Sequence, residues 1–71
     1  MNYKIFDLII DERFPRLDKA TTVSACRAVI LEGLSAYAAE AAYGCKRGTV
    51  NRYVNKIYAV YAFCLEVADH T

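Results

Sequence analysis

Gly44-Cys45-Lys46-Arg47-Gly48-Thr49-Val50-Asn51-Arg52-Tyr53-Val54-Asn55-Lys56-Ile57-Tyr58: these fifteen residues decide how the chain is read. They hold four cations (Lys46, Arg47, Arg52, Lys56) and no acid, and no Asp or Glu occurs between Glu40 and Glu66. Val50, Val54 and Ile57 recur at helical spacing, so a helix beginning near Arg47 has one apolar face. Thr49, Asn51, Arg52, Asn55 and Lys56 fall on its other faces. Gly44 is placed to close a preceding helix in the left-handed conformation that glycine adopts cheaply, which leaves Cys45 and Lys46 as the turn. Gly48 is expected inside the first turn of the basic helix, where glycine costs stability. Close approach of the backbone to a phosphate would explain it, and Gly48→Ala should then raise thermal stability while weakening binding.

Outward from this stretch the pattern stays helical. Upstream, Ser35 is an N-cap for a helix over Ala36–Tyr43 made chiefly of alanine, the best helix former. Gly33 ends an earlier helix, Thr22 to Glu32, whose apolar face carries Val23, Cys26, Ala28, Val29, Ile30 and Leu31. Asp18, Thr21 or Thr22 caps it, after a connector from Leu17 to Thr21. In the first segment, about Asn2 to Phe14, Phe6, Ile9, Ile10 and Arg13 obey the i, i+3, i+4, i+7 rule of an amphipathic helix. Its β-branched run is a competing strand signal, and Pro15 stops either element. Downstream, the basic helix continues to about Ala68. Its second half, Tyr58 to Leu65, is apolar nearly all round, and such a helix must be covered on every side. A small-residue helix, a tight turn and a basic amphipathic helix are the parts of a helix-turn-helix, which presents its second helix to a DNA major groove. The expected fold is all-α: one domain over residues 1–71, a small helix-turn-helix DNA-binding domain of four to five helices with a long C-terminal helix.

A chain of 71 residues buries only about 60% of its unfolded surface, so its core needs a supplement. Cys26, Cys45 and Cys64 are odd in number, lack a Cys-x-x-Cys pair, and have only His70 as a companion imidazole. That argues against disulfides and against a zinc site, which takes about four ligands in close pairs. The cysteines read as small buried hydrophobes, although Cys45, beside Lys46 and Arg47, is a candidate for a somewhat reactive thiol. The Leu8–Ile10 run is too short and too closely flanked by acids for a signal peptide, and no window reaches the roughly 20 apolar residues of a membrane span. Reduced thiols in a cytoplasm fit, and a second subunit is left as the source of missing core. The formal net charge is only +1, but it is segregated. Met1 to Glu40 has five cations against six anions, a balance of −1, whereas Ala41 to Leu65 has four cations and no anion. Segregation of this kind is the footprint of a charged partner.

Arg pairs bidentately with guanine and Asn with adenine, while Lys and Thr hold phosphates or base edges. Arg47, Thr49, Asn51, Arg52, Asn55 and Lys56, with Lys46 in the turn, are therefore the candidate DNA-binding residues. The plain alternative is a solvated helix face. Such faces mix signs to gain i, i+4 pairs of about 0.2–0.5 kcal/mol each, and this one has forgone them all. The six tyrosines could stack on single-stranded bases, but Tyr58 and Tyr61 read better as core or interface, their hydroxyls wet. Tyr53, beside Arg52, is placed to touch a nucleic-acid backbone. No catalytic residues are assigned. His70 is the next-to-last residue, a Gly-rich phosphate loop and a Ser/His/Asp set are missing, and Asp7, Asp11 and Glu12 read as a solvated acidic face. No cofactor, metal, membrane or small-molecule substrate is expected.

From Thr22 to about Phe63 the chain resembles the TrfB/KorA family of plasmid transcriptional repressors. The matching elements are Arg27-Ala28-Val29-Ile30-Leu31-Glu32-Gly33, the eleven-residue step from Gly33 to Gly44, and Arg47-Gly48-Thr49-Val50 followed by Val54, Lys56 and Ile57. The same spacing is similar to that of PapB-type fimbrial regulators. The resemblance implies an all-helical homodimer that binds a palindromic operator and represses transcription, with Lys46, Arg47, Arg52 and Lys56 at the positions that reach DNA. Glu40 departs from it, standing where the family has a small residue at the helix crossing. It either loosens that crossing or leans outward and lets Ala39 or Ala41 make the contact. Arg52 replaces a shorter amide, so an operator sequence does not carry over. The family's separate C-terminal dimerisation region is not matched, and Tyr58, Tyr61 and Leu65 are expected to form the dimer interface instead. A protein-interaction module docking through the apolar last helix is the alternative from another class, and a single-strand or RNA binder using the tyrosines is a third.

Overall fold

Phe6, Ile9 and Ile10 on the first helix meet Ala25 and Cys26 on the second and Val23 just ahead of it, and Val50, Val54 and Ile57 close over them from the last. The computed structural model describes residues 1–69, arranged as α1 (Tyr3–Arg13), α2 (Ser24–Glu32), α3 (Ala36–Tyr43) and α4 (Thr49–Asp69). There is no strand among the described residues, and His70 lies outside them. The expected all-α fold with a long C-terminal helix is what the chain adopts. The first helix follows its amphipathic spacing and not its β-branched strand signal.

Local chemistry sets most of the boundaries. Asn2 caps α1 by accepting the Ile5 N–H at 2.9 Å. Asp18 is the cap that precedes the second helix, its Oδ1 accepting from Ala20 at 2.8 Å and Thr21 at 3.3 Å. Helical winding therefore starts earlier than expected, with a wide π-helical turn over Lys19–Val23 that runs directly into α2. Asp18 draws the β-branched Thr21, Thr22 and Val23 into this turn, and the Val23 N–H reaches back to the Asp18 carbonyl at 3.0 Å. Gly33 ends α2 at φ +80. Ser35 caps α3 through the Ala38 N–H at 3.1 Å, and Gly44 ends it at φ +70. Helix α2 is central and packs on all three of its neighbours.

Gly48 overturns one expectation. It has φ +86 and lies ahead of α4. Its carbonyl accepts the first intrahelical bond, from Arg52 N–H at 3.1 Å. The basic helix thus starts at Thr49, two residues later than the sequence suggests, and Arg47 belongs to the turn. Glycine is there because the turn needs a left-handed residue. A Cβ at Gly44 or Gly48 would meet nothing within 4 Å, so the cost of substitution is conformational. Gly44→Ala and Gly48→Ala should each destabilise the domain by about 1–2 kcal/mol. Thermal unfolding checks this, and a more stable Gly48→Ala would restore the helical placement.

The cysteines divide by environment. Only Cys26 is buried; Cys45 is half-buried and Cys64 is exposed, so the expectation of three buried thiols holds for one. Burial, with a smaller push from nearby Cys45, raises the Cys26 thiol from 9.0 to about 11. The unfolded chain then loses this proton first. The contribution to stability is fully present below about pH 9 and is lost as pH rises toward 11. Unfolding free energies of the parent and Cys26→Ala should differ by a constant below pH 9 and converge above it, by at most about 2–3 kcal/mol. A difference that stays flat to pH 11 would contradict the shift. Cys64 should meanwhile alkylate rapidly in the folded protein and Cys26 should not.

Candidate nucleic-acid interface

The first three turns of α4 sort their side chains as the apolar spacing requires. Val50, Val54 and Ile57 point into the core. Asn51, Arg52, Asn55 and Lys56 are exposed on the opposite side, Thr49 is half-buried at its edge, and Lys46 and Arg47 are exposed in the preceding turn. The seven candidate residues thus lie together on the turn and the first half of α4. None of the described ion pairs involves them; those pairs are Lys19–Asp11 at 3.8 Å and Arg27–Asp7 at 2.9 Å. The sequence-level acidic face over Asp7 and Asp11 is thus partly neutralised from α2 and the π-helical turn.

Tyr53 organises the cations. The Arg52 guanidinium lies 5.2 Å and the Lys56 ammonium 5.3 Å from its ring centroid. The ring itself is wedged edge-on against Phe14 at 6.3 Å. Cation–π contacts at exposed sites contribute about 0.5–1 kcal/mol each and restrict two long, flexible side chains to one side of the helix. Tyr53 is half-buried in this position.

Glu40 is the residue whose role the sequence did not disclose. It is 8% exposed, and its Oε2 accepts the Val50 N–H at 3.2 Å, across ten residues of chain. Gly48 has no side chain to cap α4, and Glu40 supplies the missing cap from the neighbouring helix. A carboxylate at a helix N-terminus also meets the positive end of the helix dipole. The Glu40 carbonyl meanwhile accepts the N–H groups of Gly44 and Cys45, the latter at 3.0 Å. One residue thus ties both ends of the turn. It neither loosens the crossing nor leans outward: Ala39 makes the buried contact and Ala41 is exposed. Tyr37, 75% exposed, shares a shallow groove with Glu40, Ala41, Cys45 and Arg47 beside the turn.

Beyond Ile57 no α4 residue is buried. Of the three expected interface residues, Tyr58 and Leu65 are exposed, while Tyr61 is half-buried against the domain's own core. Tyr61 is thus partly committed within its own chain. The exposed apolar surface also includes Phe63, at 57%, within the apolar Tyr58–Leu65 segment, and Val67, at 46%, beyond it. Among the described residues no helix is long and apolar enough to cross a membrane, and no group of three or more ligating side chains is gathered to hold a metal. Comparison with protein-family models, curated proteins and solved structures finds no match to this chain.

Proposed function

We propose that this chain is a sequence-specific DNA-binding transcriptional regulator, a homodimeric repressor that reads a palindromic operator with the first half of α4. The observation that carries the reading is the acid-free outward face of Asn51, Arg52, Asn55 and Lys56, set opposite Val50, Val54 and Ile57 on a helix whose start is held by Glu40. Side chains fixed on a rigid helix can register against base edges, whereas a merely solvated face has no need of such fixing. Arg52 and the two asparagines are assigned to base edges, and Lys46, Arg47, Thr49 and Lys56 to the backbone. The likeness of Thr22–Phe63 to TrfB/KorA repressors supports the same class, and a cytoplasmic, nucleoid-associated location belongs to it.

Selection from random duplex DNA, followed by sequencing of the bound fraction, tests the reading. A palindrome with half-sites about one helical turn apart is the expected product. No enrichment from duplex pools would reject it.

The dimer is the second part of the proposal. Phe63, Leu65 and Val67 leave apolar surface uncovered on a helix that outruns its own core, and an isologous contact between two copies would cover it while fixing the separation of two basic helices. Leu65, 49% exposed, makes the cleaner test than Tyr61. Leu65→Asp should give a folded monomer with sharply reduced affinity for a two-half-site duplex, measured by sedimentation and titration. The same exposed surface favours the alternative of a protein-interaction module. A parent chain that is folded yet monomeric at tens of micromolar would replace the dimer with that alternative.

A further inference from the structure

Arg52, Lys56, Ala59 and Phe63 follow one another at i, i+4, i+7 and i+11, so they form a single stripe along α4. The far end of that stripe is flanked from another element. Arg13, at the end of α1, lines a groove with Ala59, Val60 and Phe63. Immediately after it, the Leu17 N–H bonds the Phe14 carbonyl at 3.2 Å, closing a tight turn with Arg16 exposed near its tip. The Phe14 ring packs on Tyr53, the same ring that carries Arg52 and Lys56. Arg13, from an acid-rich part of the sequence, is thus delivered beside the basic helix, with Arg16 three residues on in the turn that follows. Neither Arg13 nor Arg16 has a carboxylate partner among the described ion pairs, and Asp11, two residues before Arg13, is engaged by Lys19. Glu12 and Arg13 together line a second groove with Leu8, Ile9, Val60 and Cys64, yet no ion pair joins the two side chains among those described.

We propose that Arg13 and Arg16 are two further phosphate contacts, supplied by the end of α1 and the turn that follows it, which join Lys56 in holding a duplex DNA backbone. This rests on the DNA-binding reading and adds a backbone-holding role for α1 and the turn that follows it. Phosphate contacts position a protein without reading sequence, and each one contributes about −0.9 to the slope of log affinity against log salt.

The test compares the parent chain with Arg13→Ala, Arg16→Ala and the double variant on the selected duplex and on a scrambled one, from low to high salt. For each subunit bound, the slope should flatten by about 0.9 in a single variant and by about 1.8 in the pair. The loss of affinity should be equal on both duplexes, and lysine at either position should restore most of the slope. Lys4, about 13 Å further along α1, is the control, and Lys4→Ala should leave the slope as it was. Thermal unfolding of each variant checks that α1 stays in place. A parent that binds with an unchanged slope in the double variant, or a loss confined to the selected sequence, overturns the proposal and leaves the DNA-binding reading standing. A parent that binds no duplex overturns both.

Discussion

Replacing Lys46, Arg47, Arg52 and Lys56 together by alanine should abolish duplex DNA binding while leaving the fold intact. All four are exposed, so the stability change has few sources. Two cation–π contacts to Tyr53 disappear, at about 0.5–1 kcal/mol each, and alanine returns part of that through its better helix propensity. Against this, the loss in binding compounds. Up to three phosphate contacts per subunit would leave the salt slope flatter by about 2.7 for each subunit bound, and loss of Arg52 alone should cost roughly 1–3 kcal/mol. The single variants separate the roles. Arg52→Ala should relax the preference at one base pair, whereas Lys46→Ala should weaken all sequences alike. A folded quadruple variant that binds duplex DNA as the parent does would end the helix-turn-helix assignment of function.

The second large effect is on Glu40. Its removal as Glu40→Ala takes away a charge-assisted hydrogen bond at the start of α4, where Gly48 offers no substitute. Hydrogen bonds to charged groups contribute about 1.5–3 kcal/mol and a lost N-cap about 0.5–2 kcal/mol, and here one contact plays both parts. A loss near 2 kcal/mol is expected. For a domain of this length that corresponds to a drop in midpoint of roughly 8–16 °C. Glu40→Gln keeps an acceptor at the same place and gives up the charge, so it should lose about half as much. Operator affinity should fall in Glu40→Ala even at temperatures where the variant is folded, since the first turn of α4 would no longer be held against α3. Equal stability of Glu40→Ala and parent would show that the turn is held by its glycines alone.

These two expectations differ in how they could be found. The four cations announce themselves in the amino-acid order, because a run of 25 residues from Ala41 to Leu65 without an acid is visible to simple counting. Glu40 announces itself as an anomaly, a charged residue at a position suited to a small one. Its function depends on Val50, ten residues away, and on the absence of a side chain at Gly48. No periodicity or spacing rule connects those three positions. Gly48 is ambiguous for a related reason. A glycine inside a first helical turn and a glycine at φ +86 just ahead of it look the same in one dimension.

Boundaries set by a residue's own neighbours were determined by the sequence. Ser35 and Gly44 bracket α3 at Ala36–Tyr43, and Phe6, Ile9 and Ile10 are the buried stripe of α1 that their spacing required. Caps and stripes act over three or four residues, so local order suffices to specify them. The tertiary structure alone decided the rest. It put Arg13 and the turn after Phe14 beside α4, turned Glu40 into a cap, and spent part of Tyr61 on the core while leaving Phe63 outside. In the apolar second half of α4 every face has similar hydropathy, so the sequence cannot say which side is inward. Only the packing of α1 against one flank of that helix breaks the symmetry, because burial there depends on which surface lies opposite.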